Sequence, residues 1–217
     1  MNVFRDREGN FTIEASLVFP VIFFAVLLLL FFCMYLYQNV VLGHTAAVAA
    51  ERSAYTWDNS YRDPRTGAYE EGQQDSLYWR LHDDGILQAL FGWAGGSSSA
   101  VFELPNGDQT GGSLSLKKLG NTGSEIPGEI EGDMRYDNKL LFRKVSVSLN
   151  RLVPLAPLEA FMEDVMQSGH STAYVVEPVE WIRTVELARY YGAKFKGKGK
   201  DRVDQAEAGN ALKIHAK

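Results

Sequence analysis

One carboxylate in this chain stands where a carboxylate is expensive. Glu14 is followed by 36 positions, Ala15 to Ala50, without one Asp, Glu, Lys or Arg. Five positions before it lies Gly9, the last residue of a short polar leader that begins at Met1. An ionisable side chain inside a membrane helix costs on the order of 2.5 to 3.5 kcal/mol at mid-depth, less near an interface, and is usually paired. That makes Glu14 a candidate for pairing. A blander reading stands beside it. An acidic side chain in the first turn of a helix gains about 0.3 to 1 kcal/mol from the helix dipole, and Gly9 is then only a flexible residue ahead of that helix.

Other chemistry lacks its constellations. His44, His82, His170 and His215 are scattered, without an H-E-x-x-H or C-x-x-C partner, so no metal site is expected. His82-Asp83-Asp84 reads as a solvated turn, and Ser97-Ser98-Ser99, outside a G-x-S-x-G setting, as a loop. Lys196 to Lys200 lacks the spacing and the Ser or Thr of a phosphate loop. Trp57, Trp79, Trp93 and Trp181 suit core or subunit contacts better than a cofactor box. The expectation is a protein that is not an enzyme, with no cofactor and no nucleic-acid partner. Cys33 is the single cysteine and lies within the apolar run, so an intramolecular disulfide is impossible.

The element that must position Glu14 is the apolar run. In the 23 residues from Ala15 to Tyr37 only Ser16 and Pro20 fall outside the apolar set. At about 1.5 Å per residue such a helix reaches roughly 34 Å, enough to cross a hydrocarbon core of about 30 Å. No later run approaches that length, so a single-pass topology is expected. Arg5 and Arg7 precede the span and only Arg52 follows it closely, which favours an N-terminus on the cytoplasmic side and an extracytoplasmic C-terminal part. A cleaved secretory signal competes for the same residues through Ala47-Val48-Ala49. Its apolar core would be far longer than the usual 7 to 15 residues or so.

Gly9, the Phe11-Thr12-Ile13-Glu14 step, and the apolar run containing Pro20 together resemble the type IV pilin superfamily, most closely the TadE-like small pilins of tight-adherence secretion systems. The resemblance covers about the first 45 to 55 residues. It implies cleavage by a membrane-embedded prepilin peptidase between Gly9 and Asn10, which makes Glu14 the fifth residue of the mature chain. The freed amine of Asn10 would then pair with Glu14 of a neighbouring subunit, setting register. Pro20 is the expected helix kink. The implied protein is a minor pilin or pseudopilin whose partners are the membrane, prepilin peptidase and other pilin subunits. The alternative is an unprocessed, single-pass anchored binding module facing outward.

Beyond the span, the Ala- and Val-rich stretch to about Trp57 predicts that the helix continues outward as one rod. Asp63-Pro64-Arg65-Thr66-Gly67 is a turn signal, and Leu77 to Phe91 has helical spacing. Residues 92 to 132 hold 10 of the 20 glycines, which predicts turns joining short strands at Val101 to Leu104 and Ser113 to Leu119. Val145, Val147 and Leu149 alternate with polar residues and predict a strand with one buried face. A short helix is expected over Leu158 to Gln167, a strand over Ser171 to Val176, and a helix from Pro178 to about Tyr191. The fold class is α+β: a leader (1–9), a transmembrane and extended helix (10–57), a small mixed domain with short antiparallel strands (58–191), and a basic tail (192–217). That tail carries seven basic and three acidic residues, whereas Gln38 to Tyr191 carries 13 basic and 21 acidic. It is read either as a solvated, disordered end or as a segment that holds an anionic envelope polymer, a membrane surface or the acidic body of another copy.

Overall fold

The computed structural model describes residues 7–76, 79–80, 97–107, 112–139, 142–152 and 166–195. Its first element, α1, is one helix from Arg7 to Tyr55 with Pro20 inside it. A proline at that place removes one N–H donor, a loss that membrane helices tolerate because neighbouring groups satisfy the freed carbonyl. The chain divides into two compact units, Met1–Val41 and Leu42–Lys217.

The second unit is α+β. After the outer turns of α1 come β1 (Ser97–Leu104), α2 (Leu114–Gly123), β2 (Glu131–Lys139), β3 (Phe142–Leu152), β4 (Met166–Tyr174) and α3 (Pro178–Phe195). The strands form one sheet in the order β1-β2-β3-β4, antiparallel throughout. The period-two pattern of β3 does what it implies: Val145, Val147 and Leu149 are fully buried. Each such side chain contributes about 1.5 to 3 kcal/mol on removal from water. Met134 and Tyr136 of β2 and Phe102 and Leu104 of β1 complete the inner face.

Against that face lies the outer part of α1. Leu42, Ala46, Ala49, Ala50 and Ser53 are buried, a helical repeat of small side chains that lets a helix approach a sheet closely. The approach is tightest at Gly169 in β4. A Cβ there would lie 2.9 Å from the backbone carbonyl of Leu42 and 3.0 Å from the backbone nitrogen of Gly43. Trp57, just past the helix, stacks on Tyr136 with ring centroids 4.2 Å apart.

Five segments differ from the sequence expectation. Ser113 to Leu119 is not a strand, because Leu114–Gly123 forms α2. Its buried residues are Ser115, Lys118, Leu119, Gly120, Thr122 and Gly123; most of them are polar or small and give no apolar signal. Strand β4 starts at Met166, so Met166 and Gln167 are strand rather than helix end; Leu158 to Val165 lies outside the described residues. The fully buried inward positions of β4 are Gln167 and Gly169, which hydropathy does not mark. The serines 97–99 are not a loop but part of β1, paired with Lys139, Asn138 and Asp137. Strand β2 had no counterpart in the sequence reading, and α3 runs on to Phe195. Of the Leu77 to Phe91 segment only Trp79 and Arg80 are described, and both are helical.

Candidate functional site

At the N-terminal junction the helix is already formed. Gly9 and Asn10 lie within α1, and Glu14 follows one and a half turns later. From Glu14 to Val41 the side chains are exposed or half-exposed around the whole circumference: Phe19 and Leu28 are each 71% exposed, and Phe24 on another side is 66%. No polar stripe interrupts them. A helix apolar all round is stable only where lipid or other helices replace water. Within the described residues, Glu14–Tyr55 is the one helix long and apolar enough to cross a membrane by length and composition. The carboxylate of Glu14 therefore stands at the polar end of an apolar cylinder. Cys33 is exposed on that cylinder.

A second constellation holds the outer end of α1. Lys118, carried inward by α2, is 2% exposed in its side chain and forms an ion pair with Asp75, itself 4% exposed, at 2.8 Å. Its ammonium also donates to the backbone carbonyl of Trp57 at 2.5 Å and lies 3.9 Å from the Trp79 ring centroid. A cation at that carbonyl complements the negative end of the helix dipole. Asp75 accepts from the backbone N–H and hydroxyl of Ser60, so both of its oxygens are used. Burial pushes the Lys118 ammonium below the ordinary lysine value, with the Asp75 carboxylate opposing that shift. The arrangement fastens the end of α1, the loop after it and α2 to one another. It is structural chemistry: the Lys118 ammonium and both Asp75 oxygens are engaged within the protein.

The loop after α1 is also held locally. Asp63 accepts from the backbone N–H groups of Arg65 and Thr66 and from the Thr66 hydroxyl, and Gly67 takes a φ of 70°, as the turn signal implies. Those hydrogen bonds hold the Asp63 carboxyl below the usual carboxylate range. His170 is on the solvent side of the sheet, within 3.2 Å of the Ser148 hydroxyl, and His44 is exposed on α1. His82, His215, Trp93 and residues 196–217 lie outside the described residues. Among the described residues no three His, Cys, Asp or Glu side chains are grouped to hold a metal ion.

Gly9, Asn10, Glu14 and Pro20 thus share one helix, while Lys118 and Asp75 had no sequence signal. A lysine and an aspartate 43 positions apart declare nothing until the fold brings them together. Comparison with curated proteins and with solved structures found no match. Comparison with protein families did: residues 9–51, from the glycine junction through the span, match the family described as TadE-like protein, so over that segment the chain is similar to that family.

Proposed function

We propose that this protein is a minor pilin or pseudopilin: a membrane-inserted structural subunit, cut after Gly9 by a prepilin peptidase and used to build an envelope pilus or secretion filament. The TadE-like match supports a part in pilus assembly and membrane association. The finer reading rests on one observation, a carboxylate at Glu14 at the polar end of a helical run, Ala15 to Val41, that is apolar and open on all sides. Cleavage creates a positive amine at Asn10, and the Glu14 carboxylate of a neighbouring subunit is its natural partner. The protein's role is then to be assembled and to hold register, without catalysis of its own. Its N-terminus faces the cytoplasm and the Leu42–Lys217 unit faces outward, following the arginine distribution.

The test is Glu14→Gln in the full chain. Removing one partner from a buried charge pair costs about 3 to 5 kcal/mol, so polymer formation falls at least a hundredfold while membrane insertion is unchanged. Normal filaments from Glu14→Gln cells would leave only an anchored, outward-facing binding module.

A further inference from the structure

A groove of about 680 Å³ lies in the Leu42–Lys217 unit, where the end of α1, the end of β4 and the start of α3 meet. Its lining carries four carboxylates, Glu51, Asp58, Glu177 and Glu180, and one cation, Arg62. Three of the four already have an arginine: Asp58 pairs with Arg62, Glu177 with Arg143, and Glu180 with Arg183. Two acceptors are left over. Glu51 has no ion pair among the described residues. The Glu177 side chain is only 9% exposed; Arg143 holds its Oε2 at 2.9 Å, and its Oε1 is buried with no hydrogen-bond partner.

A buried carboxylate oxygen without a donor costs free energy, and native structures rarely leave one so. What would satisfy it is a donor with positive charge and a stem that tolerates apolar walls. Tyr174, 63% exposed, and Val176, 79% exposed, supply such walls beside Ala54 and Tyr55. A lysine fits: three donors on a point charge, and four methylenes that lie along apolar surface.

The chain itself carries the matching segment. From Phe195 it continues as Lys196-Gly197-Lys198-Gly199-Lys200, three lysines whose glycine spacing leaves the backbone free to enter a groove. That run is poorly placed to serve its own groove. Helix α3 begins at the groove with Pro178 and ends at Phe195, 18 residues on. It carries the chain about 26 Å away, and five extended residues return at most about 17 Å. A second copy of the protein has no such restriction.

We propose that this groove is an inter-subunit socket that takes a lysine of the Lys196–Lys200 run from a neighbouring copy, seated on Glu177 Oε1 and Glu51. The socket rests on the assembly reading and deepens it by naming a contact outside the membrane. In the filament it would couple the outer units of adjacent subunits as Glu14 couples their helices.

Cysteine pairing in the full chain tests it, in detergent and in filaments, on a Cys33→Ser background. Val176→Cys and Lys198→Cys are placed in separate copies and mixed. The expected result is a disulfide-linked dimer from the mixture and from neither variant alone. Lys196→Gln with Lys200→Gln, which leaves the groove untouched, lowers the yield about tenfold, as does Glu177→Gln. Two results would overturn the socket: no dimer in filaments that otherwise form normally, or a monomer closed on itself when both cysteines are in one copy. The first would leave the assembly reading intact. A dimer in detergent from cells that make no filament would instead keep the socket and count against the filament.

Discussion

Replacing Lys118 by Met keeps most of the side-chain volume and removes the charge, which strands Asp75 in a buried site with only Ser60 to satisfy it. The expected loss is about 3 to 5 kcal/mol of stability, read as a lower urea midpoint. Adding Asp75→Leu should recover more than half of it, because an apolar pair of similar volume can stand in for a buried ion pair. The pH dependence has a definite sign. Lys118 has a folded pKa below its unfolded value of 10.5, so between those values the unfolded chain binds more protons than the folded one. The cost of burying the cation is therefore present in full below the folded pKa and is relieved as pH rises through it towards 10.5. Wild type should gain on Lys118→Met across that range in urea titrations, and a difference constant with pH contradicts the displaced ammonium. Asp63 has the opposite sign. Its folded pKa is depressed, so its contribution is complete above 3.8 and is lost as pH falls through the folded value. Asp63→Ala should make the 63–68 loop more open to protease at neutral pH but not at strongly acid pH.

Elements were legible in the sequence where hydropathy carries the signal. The α1 run, the alternation of Val145, Val147 and Leu149, the Asp63-Pro64-Arg65-Thr66-Gly67 turn and the proline start of α3 each announce themselves. Helix α2 and strand β4 do not, because their inward faces use Ser115, Lys118, Thr122, Gln167 and Gly169. Strand β2 hides for a related reason: Met134 and Tyr136 are buried among Asp133, Arg135 and Asp137, so its charged outer face masks the alternation. The same polar inward face makes β4 sensitive. Gly169→Leu has no space at the Leu42 backbone and must part β4 from α1, at a cost of about 1 to 3 kcal/mol or more. Gly43→Ala, where an added methyl meets nothing within 4 Å, should instead be neutral or stabilise by up to about 1 kcal/mol. Thermal melts of the two variants side by side give the comparison, and equal effects would contradict the packing described here.

At the scale of the whole molecule, the division at Val41 and Leu42 implies that the Leu42–Lys217 unit carries its own core. A chain beginning at Leu42 should remain soluble without detergent and unfold in one cooperative transition, since the buried residues of α1 that serve the sheet begin at Leu42. A gradual loss of signal would show that the span is needed for folding. For the intact protein, the central claim is that it is a processed subunit rather than a permanent anchor with its leader in place. The most direct measurement is the intact mass and N-terminal sequence of the protein extracted from membranes of cells with an active prepilin peptidase. A chain that starts at Asn10, short of residues 1–9, is expected; one still carrying Met1 to Gly9 would show that the leader is never removed and that the protein is a permanent anchor.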